Sequence, residues 1–322
     1  MKLLDILKYT RCHGSSTEAM FINNFLIPKI NNLGYQPSMD GVGNIWVEVA
    51  PKGEAPYLFV AHIDTCHRGE GLIKPIVEGN MIRMNPKDVD KACLGADDGV
   101  GIYANLKMIE AGIPATYLFT RGEEKGGIGA QFIADKTPHK LEGFLMSVEV
   151  DRAGTDEIIV SQAGGGCASE SFGDKLGELL GMGHKSSHLG VYTDVAEFGD
   201  SIPENVNIAA GYWRQHTVKE TVDTDYVDRL VEKLIQVDWS SLPIKRNKGD
   251  YWFPDSYYGG SVYSSPTDKW EDLLDYVHQY PDKVANFLMS VGVDEYEIEQ
   301  EWSDDVGDTD SIESVELRHG MW

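Results

Sequence analysis

Tyr57-Leu58-Phe59-Val60-Ala61-His62-Ile63-Asp64-Thr65 is the stretch on which the fold turns. Five apolar residues run without a polar break, as in a central strand buried on both faces. The run then stops at a histidine and an aspartate. In open α/β sheets, ligands bind outside the carboxyl ends of the strands, and that is where His62 and Asp64 fall. Working outward, other acidic signals take the same position. Glu123 and Glu124 follow a strand pattern ending near Thr120, and Asp151 follows one ending at Val150. His216 comes a few residues after one ending near Gly211, and Asp97-Asp98 stands just before a helical pattern.

The segments between them alternate. Val100–Ala111, Ile128–Asp135, Ser169–Leu180 and Asp225–Val237 carry helical patterns. Val42–Val49, Ala115–Thr120, Phe144–Val150 and Asn205–Gly211 read as strands. Ile76–Ile82 reads as a hairpin turning at Glu78-Gly79-Asn80. Near the start, Leu3–Tyr9 reads as a short amphipathic helix. A second helix opens with Ser15 and Glu18 at capping-box spacing and stops at Gly34. The expectation is an α/β fold, a mostly parallel central sheet with helices on both faces. Composition shifts near Ser240, which divides the chain into a catalytic domain, 1–244, and a C-terminal appendage, 245–322. The appendage carries two short helical patterns, 268–279 and 282–291. It ends in an acidic tail with eleven Asp or Glu and no Lys or Arg between Asp294 and Glu316.

Fifty-two acidic against 28 basic residues give a net charge of -24. Such a chain repels phosphate backbones and anionic membranes, so neither nucleic acid nor a membrane is expected as partner. No segment has the roughly 20 apolar residues of a membrane span. The first residues lack the apolar core of a signal peptide. The four cysteines, Cys12, Cys66, Cys93 and Cys167, form no CxxC pair and read as free thiols. Cytoplasmic residence is the expectation.

Each acidic signal has an ordinary reading. Asp97-Asp98 can cap a helix, Glu123-Glu124 can be a solvated turn, and His62-x-Asp64 can be a hydrogen-bonded pair. Their common place at the mouth of one sheet argues for a shared site. Read together, Ala61-His62-Ile63-Asp64-Thr65, Gly95-Ala96-Asp97-Asp98-Gly99 and Gly122-Glu123-Glu124-Lys125-Gly126-Gly127 resemble the co-catalytic di-zinc exopeptidases: aminopeptidases, tripeptidases and related carboxypeptidases and deacylases. The likeness spans about residues 10 to 237.

The resemblance implies a ligand set. His62, Asp97 and Asp151 would hold one metal and Asp97, Glu124 and His216 the second, with Asp97 bridging and its peptide to Asp98 cis. Asp64 would hydrogen-bond the other ring nitrogen of His62. Glu123 would be the general base. The cofactors implied are two divalent ions, zinc foremost, with manganese or cobalt also suited to these donors. They would activate a shared water.

The intervals 62–97 and 151–216 have no room for a large lid, as in single-domain aminopeptidases. Within 184–198, Tyr192 or His188 is a candidate oxyanion donor and Asp194 a candidate partner for a substrate amine, with ordinary loop chemistry an equal reading. The leading expectation is an aminopeptidase of short peptides, of unknown oligomeric state. Two alternatives stay open: an amidohydrolase or deacylase of N-acyl or non-peptide amides, and a silent binding or scaffold protein on the same fold.

Overall fold

The structure, a computed structural model, describes residues 1–162 and 165–250, together with the helical residues Val277 and Val284. The helices are α1 (Leu4–Leu7), α2 (Ser16–Phe21), α3 (Ile27–Asn32), α4 (Ala96–Glu110), α5 (Ile128–Lys136), α6 (Glu170–Leu180) and α7 (Thr224–Gln236), with a π-helical turn, Ile22–Leu26, joining α2 to α3. The strands are β1 (Ser38–Met39), β2 (Ile45–Glu48), β3 (Tyr57–His62), β4 (Ile76–Glu78), β5 (Met81–Arg83), β6 (Thr116–Thr120), β7 (Met146–Arg152), β8 (Glu157–Ile159), β9 (Ser161–Gln162), β10 (Gly165–Gly166), β11 (Lys185–Ser187), β12 (Glu204–Ala209), β13 (Tyr212–Trp213) and β14 (Thr221–Asp223).

Eight of them form the central sheet, in the order β1-β2-β6-β3-β7-β12-β8-β11. Its middle, β6-β3-β7-β12, is parallel. β2 joins β6 antiparallel, and β8 joins β12 antiparallel. The apolar run in β3 serves both faces. Phe59 and Ala61 enter the larger core, which also holds residues of α4, α6 and α7. Leu58 and Val60 enter a second core with Ala130 and Ile133 of α5 and with Val195 and Phe198. A strand covered on both sides has no reason to alternate with polar residues.

Local chemistry sets the helix ends. Ser15 caps α2, its side chain accepting from the Glu18 N–H at 3.1 Å. Only half of the expected capping box forms, because the Glu18 carboxylate reaches the Gly14 N–H and pairs with Arg121 instead. Asp223 caps α7 by accepting from the Asp225 and Tyr226 N–H groups. The apolar stripe of α7 (Tyr226, Val227, Leu230, Val231 and Leu234) is buried.

A four-stranded antiparallel sheet, β13-β14-β5-β4, contains the expected 76–82 hairpin and lies beside the His216 turn. The 62–97 interval thus holds a hairpin and a short 3-10 turn. The 151–216 interval holds α6 and short strands. Among the described residues no helix is long and apolar enough to cross a membrane. Lys245 and Arg246 are fastened to this unit through their N–H groups, both given to Glu204. The rest of the expected appendage, including both of its short helices and the acidic tail, lies outside the described residues apart from Val277 and Val284.

Candidate metal centre

Parallel pairing brings the carboxyl ends of β3, β6, β7 and β12 to one edge. His62 lies opposite Thr120 in the β3–β6 register. Asp151 stands near the end of β7, two residues past the β3–β7 pair Val60 and Glu149. Two turns complete the cluster. Gly95, at φ 76°, occupies the left-handed region, and an added Cβ would lie 2.7 Å from His67 Cε1. This glycine lets the chain turn tightly into Asp97. The Asp97–Asp98 peptide is cis, as the resemblance implies. His216, at φ 62°, is also left-handed, in the connection between β13 and β14.

Asp97 is the centre of the arrangement. Its Oδ1 lies 2.9 Å from His62 Nε2 and its Oδ2 lies 3.1 Å from His216 Nε2. One carboxylate thus faces two imidazoles with its two oxygens. Asp151 Oδ2 is 3.8 Å from His62 Nε2, on one side. Glu124 Oε1 is 3.1 Å from His216 Nε2, on the other. Glu123 Oε2 stands 3.9 Å from His62 Nε2, close to the cluster but outside its short contacts. The five sequence-predicted ligands and Glu123 therefore converge.

Asp64 is buried there too, but differently from expectation. The His62 Nδ1 proton goes to the Asp64 backbone carbonyl at 3.0 Å, while the carboxylate is 3.8 Å away. The carboxylate is aimed elsewhere: Asp64 Oδ1 accepts the Gly122 and Glu123 N–H groups at 2.7 and 3.2 Å. A carbonyl can only accept, so Nδ1 donates to it and Nε2 is the ring nitrogen that faces the site. The carboxylate meanwhile fixes the turn that carries Glu123.

The loop candidates at 184–198 take ordinary partners. His184 Nε2 meets the Tyr226 hydroxyl at 2.7 Å, and His188 Nε2 meets Glu170 at 2.9 Å. The Tyr192 hydroxyl donates to Glu197 at 2.9 Å. Asp194 is fully buried and accepts from the Thr120 hydroxyl. Its side chain has no exposed surface.

Several contributors escaped the sequence reading. Glu220 is completely buried, and its carboxylate accepts four backbone N–H groups, from Leu94, Gly95, Ala96 and Asp97, at 2.7–3.1 Å. It clamps the turn that presents Asp97. Arg11, also buried, donates to the carbonyls of Ile63 and Gly95, tying the two ligand-bearing segments together. The Tyr212 hydroxyl donates to Asp151 Oδ1 at 2.9 Å. Asp98 accepts the His62 N–H. Cys66 Sγ donates to Glu124 Oε2 at 2.9 Å. Asp98 stood inside a quoted motif and Cys66 directly after one, but neither contact was legible; Glu220 had only its place four residues past His216.

The electrostatics call for cations. Burial lifts the Glu123 carboxyl well above its usual range, with Glu124, Asp151 and Asp194 adding to the effect against an opposing His62. Burial and Asp97 push Asp151 up to about 7. Burial and Asp97 likewise push Glu220 up to about 7, against the pull of its backbone donors. Burial opposes charging of His62 and His216, but their carboxylate neighbours outweigh it and raise both. Asp97 is drawn down by these two imidazoles against its own burial. Among the described residues no Lys or Arg forms an ion pair with Asp97, Glu123, Glu124 or Asp151; their ion-pair partners are the two histidines. A buried carboxylate excess without basic side chains fits divalent metal. So does the geometry, since His62, Asp97 and Glu124 offer donor atoms within 4.8 Å of one another, as do His62, Asp98 and Asp151.

No family model and no curated protein matches the chain. Solved structures do. A tripeptidase from Staphylococcus aureus is similar at TM-score 0.60 and 16% identity, over 73% of this chain and 95% of its own. The aminopeptidase PepT from Bacillus cereus is similar at 0.56 and 16%, over 73% and 95%. An aminopeptidase from the archaeon Desulfurococcus kamchatkensis is similar at 0.51 and 14%, over 73% and 93%. The chain has the α/β fold of these peptidases. The resemblance to the co-catalytic zinc exopeptidases, read from the motifs, agrees with it.

Proposed function

We propose that the protein is a metal-dependent exopeptidase, an aminopeptidase that hydrolyses short peptides at a two-metal centre. The observation that supports this reading most is Asp97. Each of its oxygens faces a different imidazole, and each imidazole has a further carboxylate beside it. In this reading His62, Asp97 and Asp151 hold one ion and Asp97, Glu124 and His216 the other. Imidazole and carboxylate donors suit zinc, with manganese or cobalt as substitutes. When bound, the pair of ions supplies an acidified water and polarises the scissile carbonyl.

The remaining chemistry belongs to the chain. Glu123 takes a proton from the attacking water and returns it to the leaving amine. Its carboxylate, 3.9 Å from His62 Nε2, stands beside the cluster where both halves of that task would occur. Asp64 acts through others: its carboxylate fixes the Glu123 turn and its carbonyl fixes the His62 tautomer. Glu220 and Arg11 hold the segments that carry Asp97 and His62.

The preference for the amino terminus of the substrate is proposed from the likeness to the tripeptidase and the aminopeptidases above. Cytoplasmic residence belongs to the same proposal, with all four cysteines unpaired.

A substrate panel tests the reading. Metal-loaded protein is expected to release the first residue from tripeptides and aminoacyl anilides, to spare their N-acetylated forms, and to stop after chelation. Cleavage of N-acyl amino acids alone would favour the amidohydrolase reading. No hydrolysis of any amide by the metal-loaded protein would favour the scaffold.

A further inference from the structure

Cys66 has entered the centre so far only as a hydrogen-bond donor to Glu124. Its Sγ sits against Glu124 Oε2 at 2.9 Å, while the other oxygen of the same carboxylate is 3.1 Å from His216 Nε2. Cys66, Glu124 and His216 each offer a donor atom within 4.8 Å of the others. Around a tetrahedral zinc with bonds of ~2.0–2.3 Å, ligand atoms stand roughly 3.3–3.7 Å apart. The three donors are thus gathered at the scale of one coordination sphere. Glu124 Oε1 is buried and has no hydrogen-bond donor other than the imidazole it faces.

We propose that Cys66 is a ligand of the second metal, supplying a thiolate beside Glu124, His216 and Asp97. The inference rests on the two-metal reading above. On binding, the thiol proton leaves to solvent and the sulfur lone pair goes to the ion. The two positions then differ. The position at His62, Asp97 and Asp151 would offer nitrogen and oxygen donors only. The position at His216 would offer a soft sulfur among four protein donors, a set typical of tightly held zinc. The second position would therefore prefer zinc or cobalt to manganese and load first. The first, with three protein donors, would leave room for the reacting water.

The bland alternative is a thiol that only hydrogen-bonds to Glu124. Cobalt separates the two. Metal-free full-length protein is titrated with Co²⁺, and bound metal and the near-ultraviolet spectrum are read together. The expected result is two cobalt ions per chain with a thiolate-to-cobalt charge-transfer band. Cys66→Ser is expected to lose the band and to bind one of the two ions at least about 10-fold more weakly. Cys93→Ser is expected to keep the band. Two bound ions without the band overturn the Cys66 assignment and leave the two-metal centre standing. The same holds for a band that survives Cys66→Ser. No bound cobalt overturns both. The wild-type spectrum is decisive even if the serine variant fails to fold.

Discussion

Replacing Glu123 by glutamine separates catalysis from construction of the centre. The side chain keeps its shape and loses its capacity to hold a proton. Its carboxylate is 3.9 Å from His62 Nε2 and accepts no hydrogen bond among the described residues, while its backbone N–H, held by Asp64, is untouched. The fold therefore loses nothing it depends on. Burial first, and then Glu124, Asp151 and Asp194, lift its carboxyl in the metal-free protein, so the neutral amide replaces a group that already favours its neutral form. The reaction loses its proton carrier at both transfers. General acid–base catalysis contributes typically 10²–10⁴-fold, and service at two steps puts the loss in the upper part, about 10³–10⁴-fold in kcat, or about 4–5 kcal/mol of barrier. The assay is steady-state hydrolysis of an aminoacyl anilide, with bound metal and Tm measured on the same samples. Metal content and metal-free Tm are expected to hold while kcat collapses. Turnover within tenfold of wild type would remove Glu123 from the base role. Loss of metal along with activity would make it a ligand instead.

Glu220→Gln should destabilise the fold. One amide oxygen can serve two of the four N–H donors, leaving two buried and facing an NH₂ group, at a cost of about 1–3 kcal/mol each. Urea denaturation measures this, and an unchanged midpoint would refute the clamp. Gly95→Ala should also destabilise, because the added methyl group meets His67 in a left-handed backbone; a Tm equal to wild type would contradict it. The metal-free protein should lose stability as pH rises from about 4 to about 8. Burial first, and then nearby carboxylates, push the carboxyls of Glu149 and Asp194 up to about 8. The folded state therefore binds more protons than the unfolded chain across that window, and stability falls with pH. Thermal melts in chelator across the window check the sign, and a flat or rising profile would refute it.

What the sequence disclosed follows from physics that acts along the chain. β3, β6, β7 and β12 were legible because strands covered on both faces must be apolar throughout, and α7 because one buried stripe recurs at helical spacing. β8, β11, β13 and β14 were not, since two or three residues cannot display an alternation. At the site, His62, Asp97, Glu123, Glu124, Asp151 and His216 were legible as polar residues placed where apolar runs end. The supports were not. Glu220 is an unremarkable acid until four N–H groups from a distant turn close around it. Arg11 lies between two helical patterns, in a stretch that carried no signal of its own. Asp64 shows a further limit: spacing placed it beside His62 but could not say whether its carboxylate or its carbonyl would take the imidazole proton. The carboxylate is aimed instead at the Gly122 and Glu123 N–H groups, 58 and 59 residues away in sequence.

The account stands or falls on two cations sharing Asp97. Zinc bound per chain, measured by equilibrium dialysis and elemental analysis of wild type and Asp97→Ala, tests this most directly. Two ions in the wild type, with both sites weakened in the variant, is the predicted result. No stoichiometric zinc in the wild type, or two ions held as tightly by Asp97→Ala, would contradict it.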